Sequence, residues 1–109
     1  MGRVISRVLT RLNLMLSSSD ISPEANLGPG LLLPHPVAIV IGKGVEVGRN
    51  ATIYQSVTLG VASHGRSTYP VLGDDVILYT GAIVVGETRI NSGAIIGAGS
   101  IIVDGRVRR

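Results

Sequence analysis

Branched aliphatic residues return at every sixth position along most of this chain. The series runs Ile21, Leu27, Leu33, then Ile41, Val47, Ile53, Leu59, then Leu72, Leu78, Val84, Ile90, Ile96, Ile102. Glycine often follows the anchor, as at Gly28, Gly42, Gly48, Gly60, Gly73 and Gly97. The residue four after it is usually small or β-branched, as at Ala25, Val45, Ala51, Val57, Val76, Ala82, Ala94 and Ser100. A period of six fits neither the 3.6-residue turn of a helix nor a hairpin meander. It fits a parallel β-helix, in which each hexad supplies one short strand and one corner. Each anchor then points into the shaft, and the following glycine is expected where the backbone bends tightly. Three hexads close a triangular coil of about eighteen residues, and coils stack about 4.8 Å apart.

A different pattern precedes the hexads. Val4, Ile5, Val8, Leu9, Leu12, Met15 and Leu16 fall at helical spacing, with Arg3, Arg7 and Arg11 on the opposite stripe, and Ser17–Ser19 end the run. The expected division is an amphipathic α-helix within 1–19 and a β-helix over 20–109, with a loop at 60–71. The helix is expected to pack on the shaft or on a partner subunit. Its basic stripe leaves contact of residues 3–16 with an anionic membrane surface as the alternative. Arg7 and Arg11 interrupt any signal-peptide core, and no apolar run is long enough to span a bilayer.

Two interruptions break the six-residue count. Two extra residues lie between Leu33 and Ile41, and seven between Leu59 and Leu72. Insertions in a solenoid are expelled as loops, commonly on one binding face. His35 falls in the first interruption and His64 in the second, which points to a site there. After Ile102 the chain reaches Arg106, Arg108 and Arg109 with no evident cap. An open last coil is an aggregation hazard. The chain is therefore expected to be part of something longer, or shielded by assembly, or blunted at that edge by charge.

Composition narrows the picture. Phe, Trp and Cys are absent and there are three Tyr, as suits a shaft with room only for aliphatics. No disulfide or thiolate metal site can form, which is compatible with the expected cytoplasmic location. The net charge of +3 is modest and the arginines concentrate at the two ends. No aromatic stacking platform or motif suggests a nucleic-acid partner.

The hexads resemble those of the left-handed β-helix acyltransferases. Within them, the segments DISPEANLGPGLLLPHPVAIVIGKG, VGRNATIYQSVTLG, YPVLGDDV and NSGAIIGAGSIIV resemble serine O-acetyltransferase and its relatives in surface-polysaccharide gene sets. Asp20 to Ser100 carries the likeness. It implies a left-handed coil, which the usual preference for right-handed crossovers would not give. It also implies a homotrimer, acetyl-CoA as co-substrate, a small-molecule acceptor and no metal. The catalytic base would be His35, oriented by Asp20 on an adjacent coil. An imidazole can take the proton of an attacking hydroxyl, and a carboxylate on its other nitrogen fixes the tautomer and steadies the imidazolium. The pantetheine arm would lie against Thr58, Gly60, Gly81, Ala82, Gly97, Ala98 and Gly99, where small residues let a ligand approach main-chain donors.

The chain departs from that pattern at several points. Pro34 stands where serine acetyltransferases usually carry aspartate, Thr68-Tyr69-Pro70 replaces Arg-His-Pro, and Val61 replaces a glycine. The lost charges leave a neutral acceptor pocket of Pro34, Tyr69 and His64 that suits a sugar hydroxyl as well as serine. The resemblance also implies a long helical N-terminal domain, whose end only residues 3–16 could represent, and a C-terminal CoA-binding segment that would begin at Asp104 to Arg109. Three readings follow. One is an acetyl-CoA-dependent O-acetyltransferase acting on serine or a saccharide, with loop 60–71 lining the acceptor pocket. Another is a non-catalytic or degenerate β-helix fragment lacking the CoA-binding cap. The last is a zinc β-helix of the carbonic-anhydrase kind, for which His35 and His64 would need a third ligand.

Overall fold

A computed structural model describes residues 18–108. The expected helix at 3–16 lies outside the described residues. Within them the chain is all-β, and its strands form three sheets that make the three faces of a prism. Face A carries β1 (Asp20–Ile21), β3 (Val40–Ile41), β6 (Thr58–Gly60), β9 (Ile83–Val85), β12 (Ile101–Val103) and β13 (Arg106–Arg108). Face B carries β2 (Asn26–Leu27), β4 (Glu46–Val47), β7 (Val71–Leu72) and β10 (Arg89–Ile90). Face C carries β5 (Thr52–Ile53), β8 (Ile77–Leu78) and β11 (Ile95–Ile96), and a bridge from Leu32 to Thr52 extends it by one coil. Every pairing is parallel except β12 with β13.

The register absorbs both interruptions. Ile41 lies opposite Leu59, and Leu72 opposite Ile90, each eighteen residues on. Ile21 meets Ile41 after twenty residues and Leu59 meets Val84 after twenty-five. The extra residues therefore leave the stack and the anchors stay aligned. Ile41, Val47, Ile53, Leu59, Leu72, Leu78, Val84 and Ile102 are buried, joined by Val45, Ala51, Val57, Val76 and Ala82 from the position four later. Anchors of the end coils (Ile21, Leu27, Leu33, Ile90, Ile96) pack against this core but stay half-exposed, since each has a neighbouring coil on one side only.

Three expectations need correction. First, the tight bend is not at the glycine after the anchor. The left-handed residue lies three after the anchor, as at Asn50, Ser56, Asp75, Gly81, Gly93 and Gly99. Each turns its N–H back to a carbonyl of the preceding coil, as Ser56 does to Val37 (3.0 Å) and Gly99 to Thr80 (2.9 Å). The glycine after the anchor answers a different need at the B–C corner. A Cβ on Gly48 would sit 2.7 Å from the Gly73 carbonyl carbon, and one on Gly73 2.6 Å from the Ser92 nitrogen. Coils pass too close there for any side chain.

Second, the two interruptions do not share a face. The first leaves at the corner between faces C and A, the second at the corner between A and B. Four hexads separate them, one more than a full coil, so the second is carried one corner onward. Third, the last coil does not stop bare. Asp104 (φ 48°) and Gly105 (φ 76°) form a two-residue turn with both residues left-handed. That geometry belongs to a tight hairpin favoured by Asp-Gly, and it folds β13 back along β12.

Candidate functional site

His35 stands at the C–A corner, where the two extra residues let the chain bulge from the shaft. Four hydrogen bonds hold the bulge. The Ser19 hydroxyl donates to the Pro36 carbonyl (3.0 Å) and accepts the Ile39 N–H (3.1 Å). The Val37 N–H closes a tight turn on the His35 carbonyl (2.8 Å). From the coil below, the Ser56 N–H donates to the Val37 carbonyl (3.0 Å). The next residue, Ala38, is fixed at φ 55°, a conformation its Cβ disfavours. The turn is thus clamped from both neighbouring coils while the His35 side chain stays exposed.

Asp20 opens β1 beside this turn, on the outer side of face A, and is also exposed. Ser19, its chain neighbour, straps the turn to it. Ser19→Ala is expected to lose about 1–3 kcal/mol, because it removes two hydrogen bonds and strands the N–H of fully buried Ile39. Thermal unfolding against wild type checks this.

Below His35 the same corner is lined by small residues and tyrosines. Pro34, Tyr54, Tyr79 and Gly97 each follow their anchor by one residue and fall in one file. Tyr54 and Tyr79 stack with ring centroids 5.1 Å apart and planes 18° from parallel. Sequence reading missed this pair. The signal was available, since both tyrosines occupy the position that Pro34 occupies one coil above. Gly81, Gly97, Ala98 and Gly99 complete the edge. A Cβ on Gly99 would meet nothing within 4 Å, and one on Gly97 only the Ser100 hydroxyl at 3.7 Å. The surface there is open to a ligand.

The main chain of this edge is largely committed. The N–H groups of Gly81, Ala82 and Gly99 donate to Gln55, Tyr79 and Thr80, so these residues offer smallness rather than donors. The Ala82 side chain lies wholly in the core. Thr58 is half-buried on the outer side of face A, in file between Val40 and Ile83.

The remaining candidates sit at the A–B corner, one face away. The segment between β6 and β7 runs from 61 to 70. His64 is exposed near its tip. Tyr69 does not point into a pocket with His35: its ring lies over the Gly42–Gly44 turn, where a Cβ on Gly42 would be 2.7 Å from its Cε1. Gly60 ends β6 at this corner, with open space where a side chain would be. Within one chain, then, Asp20, His35, Pro34, Thr58 and the glycines of the C–A edge gather together. Gly60, His64 and Tyr69 do not join them. Among the described residues no three of His, Asp and Glu cluster as metal ligands would, and no helix is long and apolar enough to cross a membrane.

No protein-family model matches the chain. It is similar to the serine acetyltransferase of Staphylococcus aureus, 37% identical over 101 residues, which span 92% of this chain and 47% of that protein. The serine acetyltransferase of Bacillus pumilus is 33% identical over 91% of this chain and 46% of its own length. The chain thus spans about half the length of these relatives. Among solved structures, serine acetyltransferase isoform 3 of Entamoeba histolytica in complex with cysteine superposes with a TM-score of 0.76, at 33% identity, over 91% of this chain and 37% of that one. The Neisseria gonorrhoeae enzyme in complex with serine gives 0.75 at 35% identity, over 92% of this chain and 41% of that one.

Proposed function

Because this chain is a hexapeptide-repeat protein of the serine acetyltransferase kind, we propose that it transfers an acetyl group from acetyl-CoA to a hydroxyl, with His35 as the general base. The observation that carries this reading is the clamped, exposed histidine at the head of an edge whose glycines leave room for an extended ligand. His35 takes the hydroxyl proton as the oxygen attacks the thioester carbon. The new C–O bond forms, the C–S bond breaks, and His35 passes the proton to the departing thiolate. Asp20, tied to the same turn through Ser19, orients the ring and steadies its charged form. The pantetheine arm lies along Thr58, Gly81, Gly97, Ala98 and Gly99.

Serine is the acceptor we favour, since the solved relatives hold serine or cysteine. A saccharide hydroxyl is the second reading, supported by neutral Pro34 and the stacked Tyr54–Tyr79 pair beside His35. The coil is taken as left-handed and the assembly as a homotrimer. Exposed apolar side chains favour assembly through faces A and C, among them Leu32 (57% exposed) and Ile95 (64%) on face C and Val40 and Ile101 on face A. Those two faces meet at the His35 edge. A cyclic head-to-tail contact would set face A of one copy against face C of the next. It would also bring a neighbour's 61–70 loop, with Gly60, His64 and Tyr69, toward that edge.

The test is thiol release from acetyl-CoA by the purified chain, with serine and a panel of sugars as acceptors. Release that depends on one acceptor class supports the reading and names the class. A folded sample that releases no thiol with any acceptor and binds no CoA would instead support a non-catalytic β-helix.

A further inference from the structure

Acetyl transfer at His35 leaves one developing charge without a partner. As the acceptor oxygen attacks, the thioester carbonyl oxygen becomes negative, and a donor already aimed at that oxygen lowers the barrier. The main chain of this edge supplies none from Ser56, Gly81, Ala82 or Gly99, whose N–H groups are bonded to the carbonyls of Val37, Gln55, Tyr79 and Thr80. A side chain is better placed. His35, Gln55, Thr80 and Ala98 each lie two residues after their anchors, Leu33, Ile53, Leu78 and Ile96. Leu32 pairs with Thr52, and the Ser56 N–H reaches the Val37 carbonyl (3.0 Å), so the coil of Gln55 runs under the His35 turn on both sides of it. Successive coils stand about 4.8 Å apart, which makes the imidazole and the carboxamide neighbouring rungs of one column.

Gln55 is half-buried, and its Oε1 is sealed from solvent with no hydrogen-bond partner among the described residues. A buried acceptor without a partner costs stability. A methionine would fill the same space without that cost, so packing alone does not account for this side chain. With its oxygen turned inward, the planar amide leaves its NH2 as the end that faces the edge. Tyr54, the chain neighbour, stacks on Tyr79 at 5.1 Å, so apolar surface flanks the amide, and a hydrogen bond to a developing charge is stronger there than in water. An arm that runs from His35 down past Gly81 and Gly97 carries its thioester across the coil of Gln55. From this placement we propose that Gln55 is a further catalytic residue, whose side-chain N–H donates to the oxyanion formed on the thioester carbonyl. This rests on the acetyl-transfer reading above. In the attack the C–O bond forms, the carbonyl π pair moves onto oxygen, and His35 holds the hydroxyl proton. Gln55 steadies that oxygen until the pair returns, the C–S bond breaks and His35 gives the proton to the thiolate. The amide itself stays neutral throughout.

The test is steady-state turnover of the full chain with acetyl-CoA and serine, or with the sugar that supports thiol release in wild type. Wild type, Gln55→Met and Gln55→Glu are compared, with melting curves and calorimetric CoA affinity for each. Both variants keep the length of the side chain and remove the N–H donor. The expected result is a kcat about 10²–10³-fold lower in both, with CoA affinity unchanged. Gln55→Met should melt no lower than wild type, because the unpaired acceptor is gone. A glutamine with a purely structural role would give the reverse, a lower melting temperature and unchanged turnover. Should the methionine variant not fold, Gln55→Glu, which stays polar, carries the comparison. Wild-type kcat in a folded variant would overturn the oxyanion role and leave the acetyl-transfer reading standing. A CoA affinity that falls in step with the rate would overturn it too, since the amide would then serve binding. If wild type releases no thiol with any acceptor and binds no CoA, the acetyl-transfer reading fails and this assignment falls with it.

Discussion

His35→Ala is expected to slow acceptor-dependent thiol release by about 10²–10⁴-fold, the range for removing a general base. Stability should change little, because the imidazole is exposed and the turn beneath it is held by Ser19, Val37 and Ser56 through groups that alanine leaves in place. The effect should fall on turnover. Binding of CoA, spread along the whole edge, should survive. Asp20→Asn should act in the same direction and more weakly, since it alters how the ring is oriented and leaves the base itself. The decisive comparison is the steady-state rate of wild type and His35→Ala at saturating acetyl-CoA and acceptor, with melting curves for both. A variant that melts like wild type and turns over equally fast would remove His35 from the chemistry.

Leu59→Ala is expected to cost about 2–5 kcal/mol of stability. Leu59 is fully buried in the middle coil, with Ile41 above it and Val84 below. A globular core can collapse partly into such a gap. Here each coil is held at fixed height by backbone hydrogen bonds to its neighbours, so the space stays open and the cost should lie toward the upper part of that range. Urea denaturation should show a lower midpoint. The same truncation at Ile96, half-exposed in the last full coil, should cost clearly less. Equal losses at the two positions would contradict a core that is densest at mid-shaft.

The fold was legible because its signal is redundant. Thirteen anchors spaced by six cannot be satisfied by any other common architecture, and the structure aligns them in three files through both interruptions. The corners were less legible. Glycine after an anchor suggested a bend, yet the bend falls two residues later and is made by Asn50, Ser56 and Asp75 as well as by glycine. The reason is that a short polar residue tolerates the left-handed conformation, whereas no residue with a Cβ fits where backbones nearly touch at Gly48 and Gly73. The Asp104-Gly105 hairpin was missed although that dipeptide is a strong turn signal. The six-residue count drew attention away from a closing strand that breaks it.

The candidate site was legible in half. The His35 turn and its run of small residues share one edge, as the spacing implies. Tyr69 and His64 looked close to His35 because both interruptions carry a histidine. Counting hexads modulo three would have set them one corner apart. Ser19 gave no sequence signal at all: its role depends on a carbonyl seventeen residues away and an N–H twenty away.

The 61–70 segment has a further property. Tyr69 pins one end over the Gly42–Gly44 turn, and Ala62 pins the other, near Gly86. Between them, residues 63–67 are all exposed, and the strands on either side keep their register despite the seven extra residues. The stretch therefore behaves as an exchangeable cassette. Peptides of other lengths and compositions could be grafted between those two pins without shifting a single coil, because closing a loop twice as long costs only about 0.6 kcal/mol more. The shaft thus separates two jobs along one chain: the stack sets the distances, and the cassette is free to vary what is recognised.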